Sequence, residues 1–278
     1  MTKTCEGARG HDWKWWSRPR GERYCSRCKK RRTAGAESPG AGLHKKAEFA
    51  RYLHDLSTGQ VESLVKMTSV YGISEPTAHR WRKRAMAAIS NSGSEGTLSG
   101  RVEADEVFIP AGRQGCRNLH RRARKRGSRR TRGSGKNNVR LYTAVARDGG
   151  EMRAVALPKA TSEAFTSAVK QTVAKGARFI TDGLKQYITA SRQAKLKHQR
   201  LMSPRHRFQK QRGYRHLNTV NGLHAAFKTF IARFNGISGA LVRQYFGWFQ
   251  LSRSLRLKQY IEQTALEIGW RPCQLCGR

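Results

Sequence analysis

The chain has 278 residues, with 56 Lys and Arg against 18 Asp and Glu, for a formal net charge of +38. That length supports a real core and more than one folding unit, and that charge speaks against an ordinary metabolic enzyme and for a polyanionic partner, DNA or RNA. Mean hydropathy is −0.72 and no apolar run reaches spanning length, which disfavours a membrane protein; an N-terminus without the apolar core of a signal peptide points to the cytoplasm. In that compartment the six cysteines are expected as metal ligands or thiols rather than disulfides.

Residues 1–35 hold Cys5, His11, Cys25 and Cys28 in the spacing C-x5-H-x13-C-x2-C. The Cys25–Cys28 knuckle and the short, apolar-poor segment around it predict a zinc-ribbon-like domain stabilised by tetrahedral Zn²⁺. The alternative is four unrelated residues in a basic tail. A second knuckle, Cys273 and Cys276, lies at the other end of the chain. It either completes a four-cysteine site with Cys25 and Cys28 or belongs to a frayed tail, and Cys116 reads as a plain thiol.

After a linker at 36–42, residues 43–91 carry three helical patterns: 43–56, then 60–67, then a helix capped by Ser74 with Pro76 in its first turn. Ala78, Trp81, Ala85 and Ile89 fall on the inner face of the third, and Thr77, Arg80, Lys83 and Arg84 on the outer. This pattern predicts a helix-turn-helix with a basic DNA-binding helix. A plain three-helix packing unit with a solvated charged face is the alternative.

A Ser/Gly-rich linker leads to strands at 101–109, 138–146 and 151–157, a helix at 162–174, a strand at 177–182 and a helix at 185–195. A short strand at 197–202, a long helix closed by Asn235 and Gly236, and an aromatic helix at 241–255 follow. Three consecutive strands, then helix, strand and helix, predict a mixed α/β layer over 101–260, with 261–278 as a tail. Residues 111–138, between the first two strands, hold eleven Lys or Arg and no acid. Arg122, Arg124, Lys125, Arg126, Arg129 and Arg130 read there as an arm lying along DNA phosphates, or else as a solvated loop.

Residues 101–278 hold only nine acids, and Glu103, Asp105 and Glu106 crowd one strand while Asp182 ends another. Side chains alternate along a strand, so Glu103 and Asp105 share a face and Glu106 points away. Asn221, His224 and Lys228 are spaced by three and four residues and stack on one helical face, polar where an amphipathic helix would be apolar. Asp105 and Asp182 opposite such a face suit a hard divalent cation, Mg²⁺ or Mn²⁺, beside a phosphate. Each acid taken alone is equally an edge-strand carboxylate paired to an arginine.

Residues 102–109 resemble the first-aspartate motif of DDE-type bacterial insertion-sequence transposases, and Ile180-Thr181-Asp182-Gly183 resembles the second. The third motif is the specific one: His216 to Asn221 with His224 and Lys228, then Arg233-Phe234-Asn235-Gly236-Ile237 and Tyr245-Phe246-Gly247-Trp248. The chain is most similar to insertion-sequence family 1595, whose members carry a zinc ribbon, a helix-turn-helix and a basic insertion in this order. The third position is Asn221 where many relatives have Glu, which resembles an Asp-Asp-Asn branch with a lysine seven residues on. The resemblance implies an RNase H-like (retroviral integrase-like) catalytic domain that binds terminal inverted repeats and cuts and joins DNA by two-metal phosphoryl transfer. It further implies Asp105 bridging the metals, Asp182 and Asn221 each holding one, Lys228 on a terminal phosphate or base, and His224 positioning DNA. Two ends must be joined, so a homodimer or higher oligomer on DNA is expected. The alternative is a transposase-derived DNA-binding protein that lost catalysis, which the neutral amide at 221 leaves open.

Overall fold

The structure, a computed structural model, describes residues 13–17, 22–26, 29, 31–32, 38–110, 112, 118, 138–201, 216–234 and 236–270. Cys5, His11, Cys28, Cys116, Cys273, Cys276 and the arm residues Arg122, Arg124, Lys125, Arg126, Arg129 and Arg130 lie outside these. The chain forms two compact units, one of residues 1–85 with 259–278 and one of residues 86–258.

The first unit opens with three short antiparallel strands in sequential order: β1 (Trp13–Ser17), β2 (Glu22–Cys25) and β3 (Arg31–Arg32). Cys25 is buried at the end of β2, and the Lys29 N–H, with its backbone in the left-handed region, donates to the Cys25 carbonyl at 2.9 Å. Three helices follow: α1 (Lys46–Ser57), α2 (Leu64–Tyr71) and α3 (Glu75–Gly93), the last of which passes into the second unit. α2 lies four residues later than the sequence pattern suggested. Its start is set by Ser63, whose hydroxyl accepts the Lys66 N–H at 3.1 Å, and its end by Gly72 at φ 59°. Phe49, Tyr52, Tyr71 and Trp81 form the aromatic centre of this unit, with Phe49 edge-on to Trp81 at 5.2 Å and Tyr52 edge-on to Tyr71 at 5.6 Å.

The second unit is a five-stranded mixed sheet with helices on both faces. Its strands are β4 (Arg101–Pro110), β5 (Asn138–Ala146), β6 (Met152–Leu157), β7 (Arg178–Thr181) and β8 (Lys197–Arg200), in the order β6-β5-β4-β7-β8. β4, β5 and β6 pair antiparallel, while β4 with β7 and β7 with β8 are parallel. The mixed α/β layer expected from the sequence is therefore present, with all five strands within two residues of their expected bounds. Alternation sorts β4 and β5 cleanly. Val102, Ala104, Tyr142 and Ala144 enter a core with Phe165, Ala168 and Val169 of α4 (Ser162–Thr172) and Tyr187 and Ala190 of α5 (Lys185–Gln193). The intervening residues Glu103, Asp105 and Thr143 face α6 (Asn218–Ala232). α7 (Val242–Leu251) follows a 3-10 turn at Gly239–Leu241 and continues the aromatic packing, with Phe227 and Phe246 at 5.1 Å.

α8 (Leu255–Ile268) runs through the start of the segment read from sequence as a tail. Its residues from 259 belong to the first unit, where Ile261 and Ala265 are fully buried and Ile268 packs on Gly40. No helix among the described residues is long and apolar enough to cross a membrane.

Candidate active site

Strand register brings the two predicted aspartates together. β4 and β7 run parallel, their ladder ending with Glu103 level with Ile180; Asp105 lies two residues further along β4 and Asp182 just past the end of β7, close enough for each carboxylate to act on the other. Adjacent strands lie about 4.8 Å apart. Asp182 follows the last residue of β7 and turns the chain: its Oδ1 accepts the Leu184 N–H at 3.0 Å, and Thr181 Oγ1 donates to its carbonyl at 3.0 Å. His198 braces that turn from β8, its Nε2 2.9 Å from Thr181 Oγ1.

Asp105 Oδ1 accepts the N–H of Glu106 at 2.8 Å, which leaves Oδ2 facing α6. His224 Nδ1 lies 4.0 Å from that oxygen, and the other ring nitrogen, Nε2, is 2.6 Å from Thr143 Oγ1. Thr143 is paired across the ladder with Asp105 and donates its hydroxyl proton to the Asp105 carbonyl at 3.1 Å. With that proton committed, Thr143 accepts from Nε2–H, and the Nδ1 lone pair of a neutral His224 faces Asp105. Burial pushes the imidazole down to about 4, and the Lys228 ammonium pushes in the same direction.

The acids respond to one another. Burial raises the Asp105 carboxyl to about 6, against the hydrogen bond from Glu106; Asp182 raises it further and Lys228 lowers it. Glu106 points to the other face, as alternation predicts, and its Oε1 accepts from the Tyr187 hydroxyl at 2.7 Å. Burial raises it to about 7, opposed by the Tyr187 bond, with Asp105 and Asp182 adding repulsion and Arg140 attraction. At both carboxyls burial is the largest influence, and the cations nearby, Lys228 at Asp105 and Arg140 at Glu106, only partly offset it.

Of the residues expected to act together, Asp105, Asp182, His224 and Lys228 are thus within one electrostatic neighbourhood. Asn221 is exposed, one helical turn before His224 on the same face of α6. Hard oxygen donors from Asp105, Asp182 and the Asn221 amide fit Mg²⁺ or Mn²⁺. Among the described residues, no group of three or more His, Cys, Asp or Glu side chains is placed to hold a metal, so this donor set is two carboxylates and a neutral amide. On α3, Arg80, Lys83 and Arg84 are exposed and Thr77 is half-buried; Arg80 Nη2 donates to Thr77 Oγ1 at 3.1 Å and Arg84 Nη1 to the Ala41 carbonyl at 2.8 Å.

Sequence reasoning missed what Glu103 does. It is fully buried and bonded to Arg147, Thr219 and the Val220 N–H rather than turned toward the aspartates' pocket. The available signal was an acid two residues before Asp105 in an apolar strand, with an arginine just past the end of its partner strand. Thr143 carried no signal, because only the β4–β5 register and the position of α6 give it a role.

Residues 97–250 match the family described as ISXO2-like transposase domain. No curated protein matches the chain. Among solved structures, it is similar to a chain of the simian T-cell lymphotropic virus intasome bound to PP2A regulatory subunit B56 gamma. That match has 12% identity over 81% of this chain and 71% of the other, at a TM-score of 0.30. It is also similar to a chain of a pre-cleavage Mos1 transpososome, at 11% identity over 83% and 81%, with a TM-score of 0.25. Both likenesses are too distant to carry the fold assignment.

Proposed function

The chain belongs to the ISXO2-like transposase family, and from that premise we propose that it binds the terminal inverted repeats of a mobile element and cleaves and rejoins DNA there by metal-dependent phosphoryl transfer. The observation that carries this reading is the placement of Asp105 on β4 and of Asp182 just past the end of the parallel neighbour β7, with His224 of α6 4.0 Å from Asp105 and the Lys228 charge acting on it. The strand order β6-β5-β4-β7-β8, antiparallel then parallel, supports an RNase H-like domain over 101–260. Two Mg²⁺ or Mn²⁺ ions held by Asp105, Asp182 and Asn221 would activate the attacking hydroxyl and stabilise the leaving oxygen. Lys228 offers a point charge to a terminal phosphate, and His224, neutral at working pH, orients the DNA without adding charge beside Asp105.

Thr77, Arg80, Lys83 and Arg84 would present a helix-turn-helix to the repeat, and the basic insertion, with Arg122, Arg124, Lys125, Arg126, Arg129 and Arg130, would follow its phosphates. Cys5, His11, Cys25 and Cys28 would close a zinc ribbon over 1–35. Joining two ends calls for a homodimer or higher oligomer on DNA, working in the cytoplasm at the nucleoid.

The test is strand cleavage of a labelled duplex taken from the DNA bordering the gene, with Mn²⁺ and the full chain. Metal-dependent nicking that disappears in Asp105→Ala and in Asp182→Ala is expected. The neutral Asn221 favours a second reading, a transposase-derived DNA-binding protein without catalysis. Tight, specific binding with no nicking by the wild type would establish that one and sink the first.

A further inference from the structure

Glu103 is the one fully buried carboxylate among the described residues. Its Oε1 accepts from Arg147 Nε at 2.5 Å and Thr219 Oγ1 at 2.8 Å, and its Oε2 accepts the Val220 N–H at 3.0 Å. His216 Nδ1 lies 3.4 Å from Oε1, and Arg147 Nη2 donates to the His216 carbonyl at 2.6 Å. Thr219 and Val220 are the second and third residues of α6, where backbone N–H groups have no partner within the helix. Leu217 occupies the N-cap position without a side-chain bond and the first turn has no acid; His216 Nδ1 accepts the Asn218 N–H at 3.3 Å, which leaves the Val220 N–H to Glu103. The carboxylate that satisfies and electrostatically favours this helix start therefore comes from β4.

This cap fixes more than the helix end. Glu103 to Asp105 advances about 6.8 Å along a strand. Val220 to His224 advances about 6 Å along a helix. With the near-equal advance, pinning Val220 to Glu103 brings His224 to Asp105 and fixes the rotation of the turn that carries Asn221. Glu103 itself is not placed to be a third metal carboxylate, because both oxygens are bonded and a guanidinium lies against one of them. We propose that Glu103 is a positioning residue: by capping α6 from β4, held there by Arg147 and Thr219, it sets where Asn221 stands relative to Asp105. This rests on the reading of Asp105, Asp182 and Asn221 as the metal-binding set.

Glu103→Gln replaces an acceptor oxygen with an NH₂ that must face one of these donors, and Thr219→Val removes a single bond to the same carboxylate. Mn²⁺ binding to each full-length variant is read without DNA by the electron paramagnetic resonance of free Mn²⁺. Cleavage turnover, binding of end DNA in chelator, and thermal melting complete the comparison. Glu103→Gln is expected to melt cooperatively and bind end DNA as the wild type does, with Mn²⁺ affinity and turnover each lowered by about 10- to 100-fold, the scale set by groups that orient metal ligands. Thr219→Val is expected to shift both in the same direction by less. A folded Glu103→Gln with wild-type Mn²⁺ affinity and turnover overturns the proposal. If Glu103→Gln does not fold, Thr219→Val decides, and an unchanged Mn²⁺ affinity overturns it. Failure of the underlying reading looks different: Asp105→Ala would then keep wild-type Mn²⁺ binding and cleavage.

Discussion

At the residue scale, Asp105 and Glu106 make the second unit sensitive to pH in a direction opposite to most carboxylates. In the folded chain burial raises Asp105 from 3.8 to about 6 and Glu106 from 4.5 to about 7. Within those windows the folded protein keeps protons that the unfolded chain has released, so each carboxyl takes away stability as pH rises. His224 acts the other way. Its imidazole is lowered from 6.5 to about 4, so the unfolded chain gains the proton first and stability falls as pH drops below 6.5. Asp105→Asn removes one of the two carboxyl contributions and leaves the groups around it, Glu106, Asp182, His224 and Lys228, in place. The melting temperature of Asp105→Asn relative to wild type, measured in chelator, is therefore expected to climb between pH about 4 and pH about 7. Millimolar Mg²⁺ at the upper end is expected to raise the wild-type value and not the variant's, since a divalent ion repays the repulsion only where the second carboxylate is present. A difference that stays flat across that range would mean Asp105 is ionised in the metal-free protein. Asp105 and Asp182 were readable in the sequence because an acid amid Val, Phe and Ile stands out. Thr143 was not, because its role exists only through cross-strand pairing.

At the element scale, two helical glycines make opposite predictions for one substitution. Gly222 lies in α6 beside Asn221, and a Cβ added there meets nothing within 4 Å. Gly247 lies in α7, and its added Cβ would stand 2.7 Å from Ser90 Cα and 2.9 Å from Ser90 Cβ, on the part of α3 that belongs to the second unit. Gly222→Ala is expected to stabilise the DNA-free protein by about 0.5–1 kcal/mol, the cost of a glycine in a helix interior. Gly247→Ala is expected to destabilise it by about 1–3 kcal/mol through overpacking. Urea denaturation followed by circular dichroism reads both, and equal signs would refute the packing described. The pair also marks how far sequence periodicity reaches. Strand alternation and helical spacing located β4 to β8 and α4 to α7, because those periods are properties of neighbouring residues. The close backbone approach that requires Gly247, the start of α2 at Ser63, the length of α8 and the capping of α6 by a β4 side chain all depend on residues distant in sequence or on competing local caps. The periodic signal is silent on each.

At the scale of the whole molecule, the excess of 56 basic over 18 acidic side chains has to be matched by a partner, and the partner proposed is DNA. Association of that kind releases counterions, so the logarithm of the binding constant should fall linearly with the logarithm of salt, at about 0.9 per phosphate neutralised. The eleven Lys and Arg of residues 111–138 are the densest basic run of the chain, with no acid among them. Replacing these eleven with Ser and Gln leaves β4, β5 and the Asp105 face intact in sequence. If they lie on phosphates, the slope should become shallower by roughly 0.9 for each phosphate that is no longer neutralised, equally for end DNA and for unrelated duplex. The preference for end DNA would survive, because groups that bind phosphate fix position and carry no sequence information. A slope identical to wild type would place the arm in solvent. A vanished preference at an unchanged slope would instead make it a reader of bases.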